Sequence, residues 1–128
     1  MLKLINVNSY YGPSHVLQDI SLEVEKGEIV CLLGANAAGK TTTMKTIFGL
    51  IHPKAGSILF EDQHIENKLT GDIVTSGLAL VPEARRIFSR MSVLENLEMG
   101  AFSRNNRAEV KADIEHVCEV FPRIRERL

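Results

Sequence analysis

The sequence predicts an α/β fold organised on a phosphate-binding loop, and three observations predict it. Residues 34–41 (Gly34, Ala35, Asn36, Ala37, Ala38, Gly39, Lys40 and Thr41) match the pattern G-x-x-x-x-G-K-[ST]. The apolar run Ile29, Val30, Cys31, Leu32 and Leu33 stands directly before it and reads as a buried strand. After it, Met44, Ile47, Phe48 and Ile51 recur at helical spacing, with Gly49 near the helix end. The chemistry needs these residue types. Two glycines let the backbone wrap closely around phosphate oxygens, and N–H groups at the start of the following helix point at the anion. Lys40 adds a point charge near the β and γ phosphates, and the Thr41 hydroxyl suits the Mg²⁺ ion that bridges them. A nucleoside triphosphate is the ligand class this implies.

The whole chain narrows the setting. With 128 residues it is one domain or part of one, long enough to bury about two thirds of its unfolded surface. A net charge of -1 gives no bulk attraction to nucleic acid or membranes. No apolar run approaches the roughly 18 residues of a membrane span, and the first residues lack the long apolar core of a secretory signal. A cytosolic origin is expected. Cys31 falls in the apolar run and Cys118 on the apolar side of a helix, so both are expected as reduced core residues. His15, His52, His64 and His116 are scattered without metal-ligand spacing, and no metal is assigned to them.

Taken in order, residues 2–8 and 16–24 read as strands, the second placing Val16, Ile20, Leu22 and Val24 against polar neighbours. Between them Tyr10, Tyr11, Gly12 and Pro13 read as a turn carrying both tyrosines of the chain. These rings either pack on the nearby sheet or offer a π face on which a nucleobase stacks. Residues 25–27 turn the chain into the strand 28–33, and residues 52–56 punctuate it after the loop helix. A strand over 57–62 ends in Glu61 and Asp62. That pair resembles an acid that positions Mg²⁺ in nucleotide hydrolases, although acids at such an exit more commonly form a solvated turn.

A short helix is expected around residues 72–76, closed by Gly77. Leu78, Ala79, Leu80 and Val81 form a short apolar strand stopped by Pro82, suited to an interior position. The loop that follows mixes Glu83 with Arg85, Arg86, Ile87, Phe88 and Arg90. A solvated loop, a docking surface for another protein, or a minor nucleic-acid contact would each account for it. Ser92 and Glu95 are spaced as a capping box for a helix running toward Gly100. Residues 103–106 link it to a longer helix with Val110, Ile114, Val117 and Phe121 on one face, interrupted at Pro122.

Together these residues resemble the ATP-binding subunits of ABC transporters. Tyr11 and Gly12 resemble the aromatic position that stacks on adenine, and residues 34–42 resemble the Walker A loop. Residues 79–83 resemble the start of the Q-loop, and residues 93–97 the helix after it. Within that family, residues 77–83, 85–88 and 99–100 are most similar to ATPases of branched-chain amino-acid importers, where an acid commonly replaces the Q-loop glutamine.

The resemblance implies a P-loop NTPase of the ABC type: an antiparallel β part, the first portion of the parallel-sheet core and the start of the helical part. It implies ATP and Mg²⁺ as cofactors. Tyr11, Gly34, Ala35, Asn36, Ala37, Ala38, Gly39, Lys40, Thr41 and Thr42 would bind the nucleotide, and Thr41 and Glu83 would lie at the metal. The implied partners are transmembrane permease subunits, through about residues 83–99, and a second ATP-binding subunit, with no nucleic acid. The implied location is the inner face of the plasma membrane.

The family's Leu-Ser-Gly-Gly signature, its Walker B aspartate with the catalytic glutamate, and its switch histidine do not occur in these residues. Residues 1–128 are therefore expected as the amino-terminal part of one ABC ATP-binding domain, truncated before that half. They are expected to bind ATP without hydrolysing it, and the strand 28–33 is expected to keep an open edge that favours self-association. The competing expectation is a non-catalytic fragment that serves mainly as a permease-docking module. Ala37 and Ala84 each stand where the family pattern usually has glycine. Where the backbone requires φ > 0, alanine costs roughly 1–2 kcal/mol, so weakened nucleotide binding is expected from Ala37.

Overall fold

The computed structural model describes residues 1–35 and 39–128. The chain divides into two compact units, Met1–Leu80 and Val81–Leu128.

The first unit is built on an antiparallel sheet of strand order β2-β1-β3-β4. Strands β1 (Leu2–Tyr11) and β2 (Ser14–Val24) form a hairpin closed by Gly12 and Pro13. Gly12 takes φ +54, which glycine adopts without strain. Two residues suffice for this turn, so Tyr10 and Tyr11 stay in β1 and pair with His15 and Ser14, rather than forming the turn expected from sequence.

Alternation along β1 changes phase at Asn6, whose φ is +47. Leu4 is buried before this irregularity, and Val7 and Ser9 after it. The backbone bulging there comes so close to β3 (Ala55–Phe60) that a Cβ on Gly56 would lie 2.3 Å from the Asn6 carbonyl oxygen. Glycine is what admits the contact. Strand β3 turns into β4 (Gln63–His64) through Glu61 and Asp62, both with φ > 0. Two consecutive left-handed residues are the signature of a two-residue hairpin turn, so of the two sequence readings of these acids the turn is the one observed.

Helix α1 (Lys40–Ile47) and helix α2 (Thr70–Thr75) cover the sheet. Leu4, Val7, Leu17, Ile47, Phe48, Ile58, Phe60, Ile65 and Ile73 make one core. Met44, expected on the core face of α1, is exposed, and Thr42, Thr43 and Thr46 are buried in its place.

Residues 28–35 and 78–80 belong to this unit without joining its sheet. Both were expected as buried strands. A strand is defined by a ladder to a neighbour, and among the described residues none lies beside them. Ile29 is 93% and Leu33 88% exposed, while Val30 and Leu32 turn to a cavity of about 150 Å³ lined also by Leu22, Met44, Ile47 and Leu78. The period of two is present, with one face resting on the core and the other bare. Cys31 lies on the bare face and is exposed, which corrects its expected burial; Cys118 is buried as expected.

The second unit holds helices α3 (Val93–Gly100), α4 (Arg107–Val120) and α5 (Pro122–Arg125). The capping box of α3 is complete: the Ser92 hydroxyl accepts from the Glu95 N–H at 3.2 Å, and the Glu95 carboxylate accepts from the Ser92 N–H at 2.7 Å. The Ser92 N–H first, and the Ser92 side chain after it, hold the Glu95 carboxyl below the usual carboxylate range. Asn106 caps α4, and Pro122 separates α4 from α5.

Candidate functional site

The phosphate loop runs into α1 at Gly39, which takes φ +95. A Cβ there would lie 2.9 Å from Cδ2 of Leu17, a side chain packed in the core and unable to yield cheaply. The second glycine of the motif is thus demanded by both conformation and space. It also leaves α1 without a side-chain cap, and the first turn carries no acid. The first N–H groups of an α-helix have no intrahelical partner and carry the positive end of the dipole, which makes this an anion-accepting end. One intrahelical anchor follows at once: Thr43 donates to the Gly39 carbonyl from its N–H at 2.8 Å and from its hydroxyl at 2.7 Å.

Lys40 is the first residue of α1, and its Nζ donates to the Gly34 carbonyl oxygen. This ties Lys40 to the first residue of the motif. Gly34, Ala35 and Thr41 are exposed, whereas Thr42 is buried. Asn36, Ala37 and Ala38 lie outside the described residues, and with them the expectation about Ala37.

The two tyrosines have different surroundings. Tyr10 is stacked on His15, with ring centroids 4.2 Å apart and planes 7° apart, and Lys54 Nζ lies 4.6 Å from its centroid. His15 is itself held to the Asn8 side chain at 2.8 Å. The Tyr10 ring is taken up by the sheet surface. Tyr11, at the end of β1, is 44% exposed, with Lys45 Nζ 5.8 Å from its centroid. A ring free to take a flat ligand is therefore Tyr11.

Glu83 belongs to the second unit and is exposed. Ala84 and Arg85 follow it with φ +63 and +45. Position 84 thus does adopt the left-handed conformation that suits glycine, and alanine costs roughly 1–2 kcal/mol there. The next stretch is held by Asn96, which sequence reasoning did not single out. Its Oδ1 accepts from the Phe88 N–H at 2.9 Å, and its Nδ2 donates to the carbonyls of Phe88, Met91 and Ser92 at 3.1, 3.3 and 2.9 Å. Its place just after the capping box on α3 was the available signal. The arrangement fixes residues 88–92 while Ile87, 73% exposed, and Phe88 face solvent.

The arrangement fits a nucleotide with its metal: an uncapped helix start free of acids, a glycine whose space a Cβ would fill, a lysine bonded to the Gly34 carbonyl, and an exposed Thr41.

Comparisons with known proteins agree. The chain is 42% identical over 127 residues to the high-affinity branched-chain amino acid transport ATP-binding protein BraG of Pseudomonas aeruginosa, covering 99% of this chain and 54% of that protein. It is 30% identical to the probable branched-chain amino acid transport ATP-binding protein LivF of Archaeoglobus fulgidus, covering 98% and 52%. The chain spans about half the length of these curated relatives. Among solved structures, the ATP-binding subunit of an ABC transporter superposes with a TM-score of 0.84 at 28% identity, covering all of this chain and 52% of that one. The ADP conformation of an ATP-binding cassette superposes at 0.70 with 27% identity, covering 86% and 44%. A family model described as ABC transporter matches residues 17–126. With that match spanning most of its length, the chain belongs to the ABC transporter ATP-binding family.

Proposed function

We propose that this chain holds ATP and Mg²⁺ as the nucleotide-binding part of an importer for branched-chain amino acids. Family membership implies nucleotide binding, with Mg²⁺ as the general cofactor. The observation that carries the finer reading is the Lys40 bridge to Gly34 beside the uncapped start of α1. The first-turn amides, with Lys40, would hold the β and γ phosphates; Thr41 would face the metal, and Tyr11 would take the adenine. Bound Mg²⁺ supplies neutralisation of the charge that gathers on the phosphates. Glu83 is proposed to join the metal site. The similarity to BraG and LivF supports branched-chain amino acids as the cargo. The proposed location is the cytoplasmic face of the plasma membrane, with a second ATP-binding subunit as partner.

Calorimetric titration with ATP and Mg²⁺ tests the reading. Binding is expected, and Lys40→Ala should weaken it at least tenfold, since a hydrogen bond to a charged group is worth about 1.5–3 kcal/mol. Equal affinity in both proteins would contradict it.

A second reading, docking onto permease subunits through residues 83–99, is favoured by the pinning of residues 88–92 beneath the exposed Ile87 and Phe88. Phe88→Ala and Asn96→Ala should each weaken permease co-purification while ATP binding stays unchanged. Retained co-purification in both would remove this surface from consideration.

A further inference from the structure

We infer that Lys45 is a positioning residue for nucleobase binding, acting from α1 on the ring of Tyr11. The inference rests on the nucleotide reading above and deepens it.

The geometry begins with a buried contact. Ser9 Oγ lies 3.0 Å from Thr46 Oγ1, with both residues inaccessible to solvent. This bond fixes the end of β1 against α1. Residues two apart share a face of a strand, so Ser9 and Tyr11 both address α1, where Thr46 and Lys45 meet them. Lys45 Nζ lies 5.8 Å from the Tyr11 centroid, within the reach of a cation–π contact. The backbone of Lys45 is also held, because its carbonyl accepts from the N–H groups of Leu50 at 2.9 Å and Ile51 at 3.2 Å. A half-buried lysine with a held backbone therefore places its ammonium over a ring that is otherwise open.

Restraining that ring before the ligand arrives lowers the ordering cost of stacking. Lys40 and Lys45 sit five residues apart on one helix, about 7.5 Å of axial rise. The same short element thus addresses the phosphate end and the base end of one extended ligand. Tyr10 gives the internal contrast: its cation, Lys54, accompanies a ring already stacked on His15.

The test compares ATP with inorganic tripolyphosphate, which has the phosphates and no base, each with Mg²⁺, in calorimetric titrations. Lys45→Met should weaken ATP about two- to fivefold, the range of an exposed cation–π contact, and leave tripolyphosphate unchanged. Lys45→Arg should restore ATP affinity. In a Tyr11→Ala background Lys45→Met should have no further effect, the non-additivity expected of residues that act together. An equal loss for both ligands, an unchanged ATP affinity, or tighter ATP binding by Lys45→Met would each overturn the inference while the nucleotide reading stood. Absence of ATP binding by the unsubstituted chain would overturn both.

Discussion

Two sets of apolar residues in the first unit have similar composition and opposite fates. In β1, β2 and β3, Leu4, Val7, Leu17 and Ile58 are buried, because each strand finds a ladder partner within the same residues. In residues 29–33 and 78–80, Ile29 and Leu33 are bare, because no strand among the described residues lies beside them. Composition alone does not separate the two sets. Burial of a strand is a property of its neighbours, and an apolar run without one keeps its alternation but not its core.

The largest expected break between the two sets is in stability. Leu4→Ala or Ile58→Ala should cost about 2–5 kcal/mol, as large-to-small changes in a packed core do. Ile29→Ala or Leu33→Ala should stay within about 0.5 kcal/mol, as surface changes do. Urea unfolding of the four variants measures the difference, and equal losses would erase the distinction.

Glycines sharpen it next. Gly56→Ala places a Cβ 2.3 Å from the Asn6 carbonyl oxygen in a left-handed conformation and should destabilise by about 1–3 kcal/mol. Gly71→Ala, in α2 with open space around it, should be neutral or stabilise by up to about 1 kcal/mol. Thermal unfolding midpoints should move in opposite directions or differ clearly.

The bare run also predicts association. Exposed apolar segments with unpaired backbone template contacts between chains, so residues 1–128 should self-associate in sedimentation, and Leu33→Lys should shift them toward monomer. A monodisperse monomer without the substitution would contradict the exposure.

The smallest effect lies in the closed set. Burial opposes ionisation of Glu66, but the N–H groups of Glu66 and Ile58, together with His64, outweigh it and hold the carboxyl below the usual range. A carboxyl depressed in the folded state stabilises above its unfolded pKa, and this contribution is lost as pH falls through the folded value. Glu66→Gln should flatten the acid limb of the stability–pH curve, leaving its neutral region lower.

Much of this was legible in sequence. The hairpin strands, the helix after the phosphate loop, the capping box of Ser92 and Glu95, and the break at Pro122 all follow from local chemistry, and the structure repeats them. The glycine that opens α1 was legible in the loop motif for the same reason. What was not legible depends on distance through space. As two rings beside one turn Tyr10 and Tyr11 share a signal, and stacking on His15 gives them different surroundings. Lys45 meets a ring, and Asn96 the backbone of Phe88, that no spacing rule brings near. The exposure of Cys31 follows from what lies beside its segment through space, where no strand is found among the described residues.

Amide hydrogen exchange with and without ATP and Mg²⁺ tests the central claim most directly, because it reads both sets of residues and the nucleotide site in one measurement. Slow exchange in β1 and β3, fast exchange in residues 29–33 and 78–80, and added protection in residues 39–43 on nucleotide addition are the predicted results. Equal protection of the two sets, or no change in residues 39–43, would contradict it.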